Sequence, residues 1–504
     1  MPTRCEQFTT FAQLWQQLPQ RFAPAQPLLI HSAPAELVRV ESAHTRVAAC
    51  RHQLDQWGVR PTTHVVIHDA FHPAYLYWVW AIWLQGAVVV PLDPTLPQQR
   101  LQRLLGQLKP ALILSDKLES ATPWPIEPMA LPSPAAPPAE RPDTPCQPEQ
   151  LAAILFTSGT TGEPKGICLS HRAMLNSGAA MADGFAWQRG DRLLNLMAFH
   201  GMSGLRNPAI AALLAGVTIV LPDPDPNRLL FSGLNLCREQ QVTLLATTPA
   251  LIDRMGQLLP RLSADTLQSL RMVLSCAAPL QRRTAEQLEA QGGLKVREYY
   301  GLTESGGICA RTPLEAPLPP QDVVGRAWRA ELEIRDAQGN RLEVDQMGTL
   351  WIRSSQLFSG YLHPGSAVPK QNGWLDTGDL ASIDAAGWVT LHGRRDSQFK
   401  SSSGEIVIPA EVERMIQAQP GVEQAAVCRY REPHGEERLA AFIVPTAQAA
   451  ADPHWLSALK QQLSSQLEQS KQPARLIPCP TLPAPGESEI NCAQLVERHL
   501  HGGG

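Results

Sequence analysis

Lysine is scarce in this chain. Only eight of its 43 basic residues are lysines, at positions 109, 117, 165, 295, 370, 400, 460 and 471, so arginine carries nearly all the positive charge. With 47 acidic residues the net charge is −4, and the basic excess that nucleic-acid binders and polybasic membrane binders use against polyanions is missing. No nucleic-acid partner is expected. The ten cysteines, from Cys5 to Cys492, include no Cys-x-x-Cys pair and no Cys/His cluster at metal-ligand spacing. Reduced thiols in a cytoplasmic protein are the simplest reading. Residues 1–20 lack a basic segment followed by an apolar run, so no signal peptide is expected. One stretch, residues 74–92, is apolar apart from Gln85. Its length approaches that of a membrane span, but Gly86 divides it into an aromatic half and a β-branched half. We read it as a buried helix, a turn and a buried strand, with no integral membrane segment.

At 504 residues, 44% apolar and 18% charged, the chain suits a globular protein of several domains. Strand-like runs HVVIHD, AVVVPL, ALILSD, LAAILF, VTIVLP, TLLATT and MVLSC alternate with helical stretches over roughly the first 300 residues, the texture of βαβ units with largely parallel sheets. Ten prolines fall within residues 122–148, too many for a helix or a central strand, and we read that stretch as a surface connection between two lobes. Short strands and turn signals from about 323 to 391 predict a small antiparallel, barrel-like β region. After Arg395 a tail reads EVERMIQ, AAVCRY, LAAFIV, LSALKQQLSSQLEQ, an α+β domain of its own. The expected fold is therefore α/β. Residues 1–395 hold two βαβ sheet subdomains and the β subdomain, and residues 396–504 form the small C-terminal domain.

The strongest local signal follows LAAILF: Leu155-Phe-Thr-Ser-Gly-Thr-Thr-Gly-Glu-Pro-Lys165-Gly. A loop so rich in Gly, Ser and Thr offers many N–H and hydroxyl donors to a polyphosphate, and Lys165 adds a point charge. It is not a Walker A loop, because Gly-x-x-x-x-Gly-Lys-Ser/Thr does not occur. Further segments follow in order: Phe199-His200, Leu274-Ser-Cys-Ala-Ala-Pro-Leu280, Tyr299-Tyr-Gly-Leu-Thr-Glu304, Asp376-Thr-Gly-Asp379, Gly393-Arg-Arg-Asp396, Ser403-Gly-Glu405 and Pro409-Ala-Glu-Val-Glu413. Together they resemble the AMP-forming adenylating enzymes, which comprise acyl-CoA synthetases, adenylation domains and firefly luciferase, over nearly the whole chain.

The resemblance implies an enzyme that joins a carboxylic acid to ATP as an acyl-adenylate, with magnesium, and passes it to a thiol of coenzyme A or of a carrier-protein phosphopantetheine arm. It implies that Thr157, Ser158, Gly159, Thr160, Thr161, Gly162 and Lys165 hold the leaving pyrophosphate. Ala277, Ala278 and Pro279 would lie against adenine, Tyr300 with Gly301 would stack on it, and Thr303 would reach the α-phosphate. Glu304 would be the magnesium ligand, Asp379 would accept the ribose hydroxyls, and Arg394 would contact ribose or phosphate. Asp396 would be the hinge about which a mobile tail domain turns between half-reactions. His200, Gly201, Met202, Ala246, Ala277, Gly306 and Gly307 would line the acyl pocket, His200 as a gate or wall rather than a base, since a carboxylic acid is already ionised at neutral pH. No carboxylate stands in Phe199-His-Gly-Met-Ser-Gly-Leu-Arg-Asn207 to pair with an α-ammonium, which implies an acid other than an amino acid, and the mostly small side chains assigned to the pocket imply a bulky aryl or medium-chain one. Arg206 is expected on a helix surface, contact with a second substrate carboxylate being the other reading.

The chain departs from the family in one place above all. The segment Leu482-Pro-Ala-Pro-Gly-Glu-Ser-Glu-Ile490 puts Glu489 where the family has its catalytic lysine, and no lysine follows Lys471. Three readings stay open: an active ligase using another cation, with Lys400 the other lysine in a tail-domain motif; an enzyme that binds adenylate but performs an unusual second step or depends on a partner for activation; and a non-catalytic nucleotide- or acyl-binding relative. Smaller departures are Cys276-Ala277 for the family's Gly-Gly, Gly325-Arg-Ala-Trp-Arg-Ala330 for its Gly-Arg-Pro-x-Pro-Gly, and one extra residue in Lys400-Ser-Ser-Ser-Gly404.

Overall fold

The computed structural model describes residues 8–32, 35–118, 122–133, 146–157, 165–223, 225, 228–263, 265–278, 280–292, 294–320, 322–363, 368–400, 406–432, 437–482 and 492–501. The chain packs as two compact units, residues 1–331 with 352–375, and residues 332–351 with 376–504. This division and the boundary expected at 395 differ over residues 332–351 and 376–395.

The first unit carries two sheets. In one, the parallel strands run in the order Lys295–Tyr300, Met272–Ser275, Leu244–Thr247, Arg192–Asn195, Thr218–Leu221 and Leu29–Ser32. Antiparallel strands flank them: Ala310–Arg311 with Val323–Ala327 on one side and Ala35–Val38 on the other. The other sheet places Leu151–Thr157, Val88–Leu92, His64–His68, Leu112–Leu114 and Ile126–Glu127 parallel, with Lys165–Ser170 and Gly360–Tyr361 added antiparallel. The seven strands read from the sequence are all present. The missed strands include Leu29–Ser32, Arg192–Asn195, Lys165–Ser170 and Lys295–Tyr300, whose polar residues blur the apolar run that marks a buried strand. Within the Pro-rich connection, Ile126–Glu127 is an edge strand on Leu112–Leu114, the position in a sheet where neighbouring prolines leave no ladder partner unserved; residues 134–145 lie outside the described ones.

Every residue of the helix Tyr75–Leu84 is buried. Its three indole N–H groups donate to backbone carbonyls: Trp78 to Met129 at 2.8 Å, Trp80 to Ala209 at 3.1 Å and Trp83 to Ala152 at 2.8 Å. A helix that meets protein carbonyls on several sides is a core helix, and buried Trp is tolerated because each N–H finds an acceptor. Gly86 turns the chain at φ +73° into the strand Val88–Leu92. Among the described residues no helix is long and apolar enough to cross a membrane.

Strand Lys165–Ser170 leads directly into helix His171–Gly184, where the Ser170 hydroxyl accepts the Ala173 N–H at 3.2 Å. His171 is buried at this junction and its Nε2 has no partner among the described residues. Loss of hydration lowers its pKa from 6.5 to about 4. Because the folded state holds the neutral imidazole, this group costs no stability above pH 6.5; the penalty begins as pH falls through 6.5 and is complete below about 4. The full penalty is about 3 kcal/mol. Replacing His171 by Phe should therefore flatten the fall in melting temperature between pH 6.5 and 4, and parallel curves for the two proteins would show that His171 is not the group responsible.

The second unit holds residues 376–383 of strand Trp374–Ile383, the antiparallel strand Trp388–Arg394 and the tail domain. In the tail, Val422–Arg431 pairs antiparallel with Glu437–Pro445, which pairs parallel with Arg475–Pro478. Alternation splits the side chains between two faces. Ala425, Val427, Leu439, Ala441 and Ile443 pack on helices Pro409–Gln417 and Trp455–Gln466. Ala426, Cys428, Phe442 and Val444 pack on Cys479, Leu482 and Leu495. The expectation of ten reduced thiols is corrected here, because Cys428 and Cys492 form a disulfide across a sequence separation of 64. A pairing made by two chain segments meeting in space leaves no mark in local cysteine spacing.

Candidate active site

Strand Leu151–Thr157 turns back as Lys165–Ser170, with Thr157 opposite Lys165 in the antiparallel register. The ladder therefore fixes the residues at both ends of the donor-rich loop. Ser158, Gly159, Thr160, Thr161 and Gly162 lie outside the described residues. Gly360–Tyr361 continues this sheet beside the second arm, with Tyr361 opposite Ile167, and the Lys165 ammonium stands 5.6 Å from the centroid of the Tyr361 ring.

Glu304 reaches the same tyrosine from the other sheet. Beyond strand Lys295–Tyr300 the chain must pass close to Gly307 and Ile308: a Cβ on Gly301 would lie 2.5 Å from the Gly307 carbonyl carbon and from the Ile308 nitrogen. Thr303–Ser305 then forms one 3₁₀ turn, closed by Leu302 N–H donating to Ser305 Oγ at 2.9 Å and by Gly306 at φ +75°. In this frame Glu304 accepts the Tyr361 hydroxyl at 3.1 Å, and its carbonyl accepts the Phe358 N–H at 2.9 Å. Lys165 and Glu304, far apart in sequence, thus converge on one phenol. Tyr361 was not foreseen, since it sits in a two-residue strand that belongs to no recognised motif.

The turn after Met272–Ser275 has Ala277, exposed, at φ +78°. The backbone keeps a conformation natural to glycine although this chain has alanine there, a local strain of about 1 kcal/mol. Ala278 is half-buried beside it, and Pro279 is outside the described residues. Tyr300 is half-buried at the end of its strand, and Thr303 opens the 3₁₀ turn.

His200 is partly buried, with an enclosed Nδ1 that has no partner among the described residues and Nε2 4.0 Å from Asp93. Burial lowers its pKa against the opposing pull of Asp93 and Asp69, which keeps the ring neutral at pH 7. Gly201 caps helix Met202–Arg206, and a Cβ on Gly204 would lie 1.8 Å from the Ala198 carbonyl oxygen, so the helix can lie this close only with glycine. Met202, Ala246, Gly306 and Gly307 are all buried. Arg206 corrects the expectation of a surface arginine: it is fully buried, because the helix that carries it runs into the core through the π-helical turn Asn207–Ala211.

In the second unit, Asp379 and Arg394 are register partners on adjacent strands, with Arg394 Nη1 donating to Asp379 Oδ1 at 3.0 Å and to the Thr377 carbonyl at 3.1 Å. Gly378, at φ +73°, leaves room for the guanidinium, which is 3.2 Å from where a Cβ would stand. Asp376 accepts the Gly378 N–H and pairs with Arg395 at 2.9 Å, while Thr377 donates to the Leu350 carbonyl. The Asp-Thr-Gly-Asp segment is thereby held rigidly, with buried Asp379. Asp396 lies 3.5 Å from Arg394 Nε. Lys400 pairs with Ile406 in a short antiparallel ladder; Ser403-Gly-Glu405 and Glu489 lie outside the described residues. Among the described residues no three His, Cys, Asp or Glu side chains cluster as a metal site. A lone carboxylate such as Glu304 still suits magnesium, which commonly takes one or two protein carboxylates and completes its shell with water and substrate phosphates.

Two family models match: AMP-binding enzyme over residues 40–362 and the AMP-binding enzyme C-terminal domain over residues 411–487. The 4-coumarate–CoA ligase 3 of Oryza sativa subsp. japonica is 31% identical over 317 residues, 60% of this chain and 56% of that protein. The isonitrile lipopeptide synthase of Streptomyces coeruleorubidus is 30% identical over 393 residues, 74% of this chain and 26% of that one. The chain thus matches only part of the length of these relatives. The fold is shared with ATP-bound MatB from Rhodopseudomonas palustris, at TM-score 0.83 and 24% identity over 97% of this chain and 99% of that one. It is shared equally with the o-succinylbenzoate CoA synthetase of Bacillus subtilis in complex with its acyl-adenylate, at TM-score 0.83 and 22% identity over 96% and 97%. With a family model spanning well over half its length and the family's motifs in order along it, the chain belongs to the AMP-binding enzymes.

Proposed function

We propose that this protein is an AMP-forming acid–thiol ligase, and the observation that carries the reading is the convergence of Lys165 and Glu304 on Tyr361. A cation and a carboxylate held at one phenol suit a polyphosphate with its magnesium: Lys165 would take a phosphate oxygen, and Glu304 would hold the magnesium ion, whose charge offsets that of the phosphates. Without such a cation an anion at position 304 would repel ATP. The substrate carboxylate attacks the α-phosphorus, pyrophosphate leaves toward the loop between Thr157 and Lys165, and Thr303 steadies the α-phosphate. A thiol of coenzyme A, or of a carrier-protein phosphopantetheine arm, then attacks the mixed anhydride and AMP departs, with Asp396 as the hinge between the two steps. Use of ATP and coenzyme A supports a cytoplasmic location.

The acid lacks an α-ammonium group, because the helix after His200 brings no carboxylate, and we read it as a bulky aryl or medium-chain acid. The full-length protein with ATP, magnesium and a panel of acids should exchange labelled pyrophosphate with aryl or medium-chain acids. Turnover driven by α-amino acids alone would refute this assignment.

Asp379 is proposed to accept the ribose hydroxyls. Asp379→Asn should weaken ATP binding by about 10- to 100-fold, the worth of hydrogen bonds to a charged group. Calorimetric affinities within threefold of each other would remove Asp379 from the nucleotide site.

A further inference from the structure

Arg206 is fully buried, and among the described residues no carboxylate pairs with it. All its recorded acceptors are neutral: Asn207 Oδ1 at 2.9 and 3.1 Å, the Gly306 carbonyl at 3.1 Å, Ser177 Oγ and Ser203 Oγ at 3.3 Å, and the Tyr299 hydroxyl at 3.4 Å. A buried charge in a shell of dipoles is costly unless an opposite charge completes the site. The two nearby acidic groups do not supply one, since burial raises the pKa of both the Tyr299 phenol and the Cys276 thiol and keeps them protonated.

Its location is specific. The direction a side chain would take from Gly307 is filled by Met202 Cγ at 2.9 Å and Arg206 Nη1 at 3.1 Å. The guanidinium therefore stands among residues assigned to the acyl pocket. One donor beside it is unspent: Asn207, also fully buried, spends Oδ1 on Arg206, and its Nδ2 has no partner among the described residues. The π-helical turn Asn207–Ala211, a rare geometry that recurs at functional sites, presents both residues from one place.

We infer that the acid taken by this site carries a second carboxylate, and that Arg206, with the free Asn207 amide donor, is the group that selects it. The inference rests on the ligase reading above and narrows its substrate class to diacids. Salt-bridge formation in a dry site explains why this chain keeps a cation where only neutral partners are otherwise present.

The test uses the full-length protein and matched acids that differ only by carboxylate against carboxamide: terephthalate with terephthalamate, and suberate with its monoamide. Pyrophosphate exchange gives kcat/KM, and calorimetry in the presence of AMP gives affinity. The wild type should favour at least one diacid over its monoamide by tenfold or more. Arg206→Met should bring that ratio to near one, and Arg206→Lys should keep part of it. No diacid preference in the wild type at either length, or a preference that survives Arg206→Met, overturns the inference. If no acid supports exchange, adenylation by this chain fails separately from the diacid inference. Calorimetry then decides the role of Arg206: diacid binding that Arg206→Met abolishes supports it, and absence of diacid binding to the wild type overturns it.

Discussion

Glu304→Gln should lower acid-dependent pyrophosphate exchange by about 10²- to 10³-fold, the usual cost of losing one preorganised electrostatic contact at a reacting phosphoryl or acyl centre. The substitution keeps the shape and an oxygen acceptor for the Tyr361 hydroxyl, so the 3₁₀ turn and its contact with Phe358 should survive. What it removes is the charge. Tyr361→Phe supplies the contrast, because it deletes the hydroxyl that orients Glu304 while leaving both the carboxylate and the ring near Lys165. Its loss should be smaller, about 10-fold, as expected for one neutral donor to a charged group. Exchange rates for Glu304→Gln within threefold of wild type would mean that the convergence on Tyr361 is a structural ion site and not a phosphate site.

The second large effect runs in the opposite direction. Glu489→Lys should raise exchange by about 10²-fold or more. Two unit charges about 4 Å apart interact by about 4 kcal/mol at an effective dielectric of 20, so a glutamate at the position from which the family's lysine meets the α-phosphate opposes adenylation, and a lysine there favours it. Thioester formation from a preformed acyl-adenylate should change little, because in the proposed mechanism the charge at position 489 acts on the α-phosphate during adenylation only. This pattern, gain in the first half-reaction alone, separates slowed adenylation from an enzyme that has recruited another cation. In the latter, Lys400→Met would abolish wild-type exchange and Glu489→Lys would add nothing.

Periodicity made the seven apolar strands and the buried helix Tyr75–Leu84 legible, since fully buried elements leave uninterrupted apolar runs. It did not reveal Lys165–Ser170 as the second arm of a hairpin, because that strand begins on the cation that the loop presents. Residues within a motif, such as Glu304, Asp379 and Arg394, could be located along the chain from sequence alone, and their roles are those proposed above. The pairing of Asp379 with Arg394 could not be read in this way, because it depends on the register of two strands. Tyr361 and the Cys428–Cys492 bond were invisible for the same reason: each joins segments whose neighbourhood exists only after folding. Arg206 failed differently. An arginine four residues into a short helix reads as solvent-facing by composition, and only the tight packing at Gly204 and the π-helical turn carry it into the core.

The central claim is that this protein makes a thioester from an acyl-adenylate, whatever the rate at which it forms that adenylate. Supplying the purified protein with synthetic aryl- and medium-chain acyl-adenylates and coenzyme A bypasses Glu489, and acyl-CoA with AMP is then measured against a reaction without protein. The account predicts protein-dependent thioester formation, with one AMP released for each thioester. Tight adenylate binding with no thioester and no AMP release, from coenzyme A or from a phosphopantetheinylated carrier protein, would contradict it.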